Sequence, residues 1–342
     1  MRSARLGKTG LEVSELGFGG IPITRLDLAE AVALVKYSLD RGISFFDTAY
    51  VYGDSEAKMG AALQGVRDQV VLATKTLVRD AAGARAQLEE SLRRLRTDHI
   101  DLYQLHNLSN DEALDQALKP GGAYEAAVKA RDEGKIRHIG FTAHNLDIAE
   151  KACRTNLFAT VQVPFNLIEH DPDQKLFPLA REKDMGIIAM KPFGGGLLDR
   201  AELCLGFLQQ HADIIPIPGL QMEQEVDENI RCYENRRALT KQDWEEIERI
   251  RSELGETFCH RCEYCLPCPE EVEVWKVLLF EAQTKRFPPD MVMKLSEEPM
   301  KTAENCVQCG ECTEKCPYEL PIPDMISKSL KQYWNYRELH GL

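Results

Sequence analysis

What the chain lacks narrows the field first. No apolar run in its 342 residues approaches the ~18 needed for a transmembrane helix, so no membrane partner is expected. Basic charge is in deficit: 42 Lys and Arg stand against 55 Asp and Glu, a formal net charge of −13. The acidic excess is present both in 1–254 and in 255–342. A nucleic-acid surface needs a basic patch to neutralise phosphates, so no nucleic-acid partner is expected either. Met1–Gly20 lacks the long apolar core of a secretory leader. The expectation is therefore a cytoplasmic protein with reduced cysteines and no disulfides. Low-complexity segments are missing too. Cysteine is sparse before residue 255: Cys153, Cys204 and Cys232 are expected to be small buried hydrophobes.

The remaining eight of the eleven cysteines crowd into two windows that each close on Cys-Pro. The first is Cys259-His-Arg-Cys262-Glu-Tyr-Cys265-Leu-Pro-Cys268-Pro269, the second Cys306-Val-Gln-Cys309-Gly-Glu-Cys312-Thr-Glu-Lys-Cys316-Pro317. The second fits the C-x2-C-x2-C-x3-C-P run of two-cluster ferredoxins, whose fourth cysteine ligates the other cluster. Thiolates at two-residue intervals can wrap one corner of a cuboidal cluster while the backbone turns. The proline after the fourth cysteine steers the chain away. On that scheme Cys259, Cys262, Cys265 and Cys316 hold one 4Fe-4S cluster, and Cys306, Cys309, Cys312 and Cys268 the other. The first window departs from the run, with only Leu266 and Pro267 between its last two cysteines. A pair of Zn(Cys)4 knots is the alternative, since C-x2-C pairs also suit zinc. Tight triplets suit clusters better than paired knuckles.

The length allows two domains. A (β/α)8 barrel takes roughly 250 residues and leaves a tail too small for a strong apolar core, which clusters would stabilise. The expected boundaries are 1–254 for an α/β TIM barrel and 255–342 for a small, mainly helical ferredoxin-like domain. Strand patterns fall at Glu15–Phe18, Ser44–Phe46, Val70–Thr74, Ile100–Leu105, Ile136–Phe141, Thr160–Val163, Gly186–Met190 and Ile214–Ile217. A helical pattern follows each, among them Leu28–Arg41, Ser55–Leu63, Ala113–Glu133 and Gln174–Lys183. Eight β-then-α units favour the barrel over an open doubly wound sheet. Gly7-Lys-Thr-Gly10 is expected to turn a hairpin that plugs the barrel floor. Asp243–Leu254 reads as an extra helix with Gly255 as its C-cap. In the tail, Val272–Thr284, Pro289–Leu295 and Pro323–Leu339 read as helices.

Asp47 and Tyr52, Lys75, and His106 follow three consecutive strands, and barrel-strand ends are where catalytic side chains collect. Each alone has an ordinary reading as a rim residue. Together they make a proton-transfer set. A phenol with a pKa of about 10 is a poor acid or base near neutrality. A neighbouring ammonium is expected to lower it, and an aspartate to keep that ammonium charged. A histidine can hydrogen-bond a substrate carbonyl beside the tyrosine.

At this point the chain resembles a known family. Asp47-Thr-Ala-Tyr-Val-Tyr52-Gly53, Ser55-Glu56 with Gly60, Ala73-Thr74-Lys75, Asp101-Leu-Tyr-Gln-Leu-His106 and Gly140-Phe-Thr are similar to motifs of the aldo-keto reductase superfamily, in order. The resemblance covers about residues 1–240. It implies the tetrad Asp47, Tyr52, Lys75 and His106, with Tyr52 as general acid/base, and hydride transfer between NAD(P)H and a carbonyl or alcohol. With its tail, the chain resembles the iron–sulfur-containing subgroup. The resemblance also implies a cofactor site. Gln162 matches the residue holding the nicotinamide carboxamide, and Thr142 a neighbouring polar contact. Lys191 and Gly194–Gly196 suit phosphates, and Gly219 and Asn229 lie on the stretch after the eighth strand that holds the dinucleotide. Members that prefer NADPH carry Lys-Ser and Arg in that stretch. Here Gly219-Leu220 and Glu225 stand there, and a carboxylate repels a 2′-phosphate. An NADPH preference is therefore not expected.

Three functions follow. The first is an oxidoreductase acting on a small carbonyl or alcohol in the barrel mouth, with NAD(P)H as hydride source and two 4Fe-4S clusters for electron transfer. The second is a reductase without nicotinamide, fed by ferredoxin or another electron carrier. The third is a non-enzymatic redox sensor or electron-transfer subunit, which would have no need of the tetrad.

Overall fold

The computed structural model describes residues 1–254, 258–259, 265–286, 289–316 and 318–341. Gly255, Cys262 and Pro317 lie outside the described residues. The chain divides into two compact units, Met1–Ile247 and Glu248–Leu342.

The first unit opens with an antiparallel hairpin of β1 (Ser3–Arg5) and β2 (Glu12–Ser14). Eight parallel strands follow: β3 (Phe18–Gly19), β4 (Phe45–Asp47), β5 (Val71–Thr76), β6 (Ile100–Leu105), β7 (Ile136–Thr142), β8 (Thr160–Pro164), β9 (Gly186–Met190) and β10 (Ile214–Ile217). Each pairs with its sequence neighbour, the pattern of right-handed β–helix–β crossovers. The sheet closes on itself where Gly17 donates to the Pro216 carbonyl at 2.9 Å and Gly19 to that of Pro218 at 2.7 Å. The seam admits no side chain, since a Cβ on Gly19 would lie 2.8 Å from the Ile217 carbonyl oxygen. This is the (β/α)8 barrel that the alternating pattern implied.

Period-two alternation sorts the strand residues. Phe45, Ala73, Leu102, Ile188 and Ile215 form one buried interior cluster. Leu6 and Val13 of the hairpin join it, so the hairpin closes the barrel floor. Two positions further along their strands come Asp47, Lys75, Gln104 and Met190. The interior is therefore apolar below and polar at the C-terminal ends of β4, β5 and β6, while Met190 and Ile217 keep it apolar on the side of β9 and β10.

Three barrel segments differ from the sequence expectation, and in the tail Val272–Thr284 is two helices, Val274–Leu278 and Phe280–Arg286, while Pro289–Leu295 extends to Ala303. Ala113–Glu133 is two helices, Asp111–Leu118 and Ala123–Asp132. They are separated by Lys119-Pro-Gly-Gly122, where Gly121 is left-handed at φ 78°. Gln174–Lys183 is likewise split, into Pro172–Lys175 and Phe177–Glu182. The first barrel strand is Phe18–Gly19 rather than Glu15–Phe18, because its pairing is set by the closure at Gly19.

The helix Lys241–Leu254 carries the chain into the second unit. That unit is helical, with Val274–Leu278, Phe280–Arg286, Pro289–Ala303, Glu311–Glu314 and Ile322–His340. Its core joins Val277, Phe280, Val292, Ile326 and Tyr333 to Cys265, Cys312 and Cys316. Phe280 meets the rings of Tyr333 and Tyr336 edge-on, at 5.6 and 5.7 Å. Among the described residues no helix is long and apolar enough to cross a membrane.

Candidate active site

The C-terminal ends of β4, β5, β6 and β8 bring four polar side chains into one buried network. Lys75 Nζ lies 2.6 Å from Asp47 Oδ1 and donates to the Thr48 carbonyl, also at 2.6 Å. Asp47 and Lys75 are 3% and 1% exposed, so neither charge is satisfied by water. Gln104 Nε2 reaches Asp47 Oδ2 at 3.2 Å and Gln162 Oε1 at 2.9 Å. Tyr52 sits on the turn after β4, with Lys75 Nζ 5.3 Å from its ring centroid. The His106 ring meets it edge-on at 5.8 Å. The four residues of the sequence tetrad are thus assembled at one spot.

Burial dominates the electrostatics. It pushes the Asp47 carboxyl up and the Lys75 ammonium down, and their contact opposes both shifts. Burial pushes the Tyr52 phenol up, and the Asp47 carboxylate pushes it further. The net shift is therefore upward, opposite to the lowering expected from Lys75, because burial and Asp47 dominate. His106 is held down at about 3 by burial, with Lys75 and Arg79 adding to the shift. It is a neutral imidazole at physiological pH.

The candidate cofactor residues are more dispersed. Thr142 Oγ1, at the end of β7, accepts from the Asn107 N–H at 2.7 Å. Lys191 follows β9 in the left-handed region at φ 55°, and its carbonyl accepts from Asn166 Nδ2 at 3.0 Å. Gly219 pairs with Gly19 at the closure. Asn229 is buried on the helix Glu223–Glu234. Glu225 Oε2 accepts from the Gln221 N–H at 2.8 Å, which fixes a carboxylate on the loop after β10. Among the described residues two buried atoms at these strand ends, Gln104 Oε1 and His106 Nδ1, have no hydrogen-bond partner, so the strand ends hold polar capacity that fits a polar ligand.

Sequence reasoning missed Gln104, which braces Asp47 from the next strand but one. Its signal was parity: in Asp101-Leu-Tyr-Gln-Leu-His106 it shares a strand face with Leu102.

In the second unit five cysteines line one pocket: Cys268, Cys306, Cys309 and Cys312, and also Cys265, which the ferredoxin scheme gives to the other cluster. The first four are the set that the ferredoxin scheme assigns to one cluster. Cys259, Cys265 and Cys316 belong to the same core, while their fourth partner, Cys262, lies outside the described residues. Among the described residues no three His, Cys, Asp or Glu side chains converge tightly enough for a single metal ion. Thiols gathered in an apolar core fit an iron–sulfur group.

Fold and strand-end site together define a barrel oxidoreductase. Residues 15–203, more than half of the chain, match the model of the Aldo/keto reductase family, and residues 258–321 match the 4Fe-4S dicluster domain. The chain belongs to the aldo/keto reductase family and carries an iron–sulfur domain after the barrel. It is 27% identical over 295 residues to Probable aldo-keto reductase 1 of Glycine max, covering 67% of this chain and 84% of that one. It is 32% identical over 260 residues to the uncharacterized oxidoreductase YrpG of Bacillus subtilis, covering 66% and 78%. Among solved structures, the holo form of a Bacillus halodurans aldo-keto reductase superposes with a TM-score of 0.65 at 25% identity, over 73% of this chain and 96% of that one. A Klebsiella pneumoniae aldo/keto reductase in complex with NADP and acetate gives 0.60 at 25% identity, over 73% and 95%.

Proposed function

We propose that this oxidoreductase reduces a small carbonyl compound, or oxidises the alcohol in reverse, at the C-terminal mouth of the barrel, with Tyr52 as proton donor. The observation that carries this is the convergence of Tyr52, His106 and the buried Asp47–Lys75 pair. Thr142, Gln162, Lys191, Gly219 and Asn229 would hold a nicotinamide dinucleotide, which when bound supplies the hydride to the carbonyl carbon. The Klebsiella relative with bound NADP supports that choice. Tyr52, kept protonated by burial, gives its proton to the carbonyl oxygen. The neutral imidazole of His106 donates a hydrogen bond to the same oxygen. Lys75 steadies the phenolate left behind, and Asp47, braced by Gln104, keeps Lys75 in place. General acid catalysis of this kind typically supplies 10²–10⁴-fold.

The second unit would hold two 4Fe-4S clusters on the crossed ligand sets given above. They would exchange single electrons with ferredoxin or a similar carrier. Glu225 faces the loop where a 2′-phosphate would lie, so NADPH binds no more tightly than NADH.

Anaerobic protein titrated with NADH, NADPH and dithionite tests the whole reading. About eight iron and eight sulfide per chain are expected, with both dinucleotides binding and dithionite bleaching the visible absorption. Stoichiometric zinc would contradict the clusters. A clear NADPH preference would contradict the Glu225 argument. Failure of both dinucleotides would favour the carrier-fed reductase instead.

A further inference from the structure

The segment Gly20–Leu26 crosses the barrel rim after β3, and its middle is a 3-10 turn, Pro22–Arg25. The helix Ser55–Leu63, which follows the Tyr52 turn directly, devotes one face to it. Ser55, Lys58 and Met59 share that face at i, i+3 and i+4. Ser55 Oγ donates to the Gly20 carbonyl at 2.7 Å. A Cβ on Gly20 would lie 2.9 Å from the Asp47 carbonyl oxygen and also press on the tip of Met59, so the close approach of the two backbones favours glycine. Lys58 Nζ donates to the carbonyls of Leu26 at 2.8 Å and Ile23 at 3.1 Å, and Asp54 Oδ2 takes it at 2.8 Å. The residue is 4% exposed, and lysine is almost never buried unless paired. Its three N–H groups are shared among these acceptors, with the Thr24 carbonyl at 3.4 Å as a further, weaker one.

The clamped segment touches both halves of the proposed site. The Gly20 N–H donates to the Asp47 carbonyl at 2.8 Å. Pro22 Cγ lies 2.7 Å from where a Cβ on Gly219 would be. Ile21, on the same segment, leaves an apolar side chain 54% exposed.

We propose that Lys58 is a positioning residue that locks the rim segment Gly20–Leu26 onto the Tyr52 helix and so sets how tightly the mouth takes its carbonyl substrate. The inference rests on the carbonyl-reductase reading for its effect on substrate, and on geometry alone for the clamp. Lys58→Met keeps the stem and removes the donors. Limited trypsinolysis of the iron-replete full-length protein, read by mass spectrometry at the exposed Arg25–Leu26 bond, reports the clamp without any turnover. Cleavage there should accelerate about tenfold in Lys58→Met, and Lys58→Arg should restore protection. With benzaldehyde as probe, KM should rise about tenfold while kcat stays within about twofold, the pattern of lost uniform binding. Should Lys58→Met fail to fold, Asp54→Asn, which leaves the lysine in place, should accelerate the same cleavage by a smaller factor. Unchanged cleavage at Arg25 in these variants would overturn the proposal, as would a fall in kcat at constant KM. If benzaldehyde is not turned over at all, the carbonyl reading fails while the cleavage result still decides the clamp.

Discussion

The barrel and the cysteine-rich unit bury their functional groups by different means. In the barrel, Asp47, Lys75 and Gln104 are the top layer of an interior whose lower layers are apolar, and parallel strand pairing fixes their register. The site is a by-product of a closed hydrogen-bonded sheet, so it stands before any ligand arrives. In the second unit three cysteines are themselves part of the core. The apolar residues around them are few and the helices short, with the exception of Pro289–Ala303 and Ile322–His340. There the inorganic group would be structural as well as functional, because binding free energy is then folding free energy. One region would bring the ligand to a finished site; the other would be finished by its ligand.

That contrast can be broken most visibly by removing iron. Chelation from the full-length protein should abolish amide protection across Ile322–His340 and leave protection of β5 and β6 unchanged, as read by hydrogen exchange. Retained protection in the tail, or joint loss in the barrel, would erase the distinction. The next effect is at the buried ion pair. Lys75→Met leaves the Asp47 carboxylate buried without its partner, which costs about 3–5 kcal/mol. Thermal unfolding should fall accordingly, and turnover with it, whereas an unchanged melting temperature would mean that Asp47 is neutral in the native state. The smallest effect concerns His106. Its folded pKa of about 3 lies below the ordinary 6.5, so the unfolded chain binds more protons between these values. The stability from its burial is therefore complete above pH 6.5 and is lost as pH falls toward 3. NMR should show no His106 titration between pH 5 and 8, and a midpoint near 6.5 would refute the burial.

Much of this was legible in sequence because the barrel repeats two simple periods. Strand positions came from short apolar runs, and the tetrad from polar residues at their ends. The long helix expected over Ala113–Glu133 failed because apolar spacing carries across Pro120-Gly-Gly122 without a visible break. Gln104 was hidden because a glutamine inside an apolar strand is meaningful only once its neighbours across the sheet are known. Lys58 was hidden for a similar reason: with Asp54 it reads as an ordinary i, i+4 ion pair, and its other partners are backbone carbonyls some thirty residues earlier that no side-chain pattern announces. The direction of the Tyr52 shift depended on how deeply the phenol is buried and on the nearby Asp47 carboxylate, which are three-dimensional facts.

The central claim is that the proton in carbonyl reduction comes from Tyr52. Tyr52→Phe removes the hydroxyl and little else, so fold and iron content should match the parent protein. Measured with benzaldehyde and saturating NADH on iron-replete protein, turnover should fall by about 10²–10⁴-fold with unchanged visible absorption. Turnover equal to that of the parent protein would contradict the account.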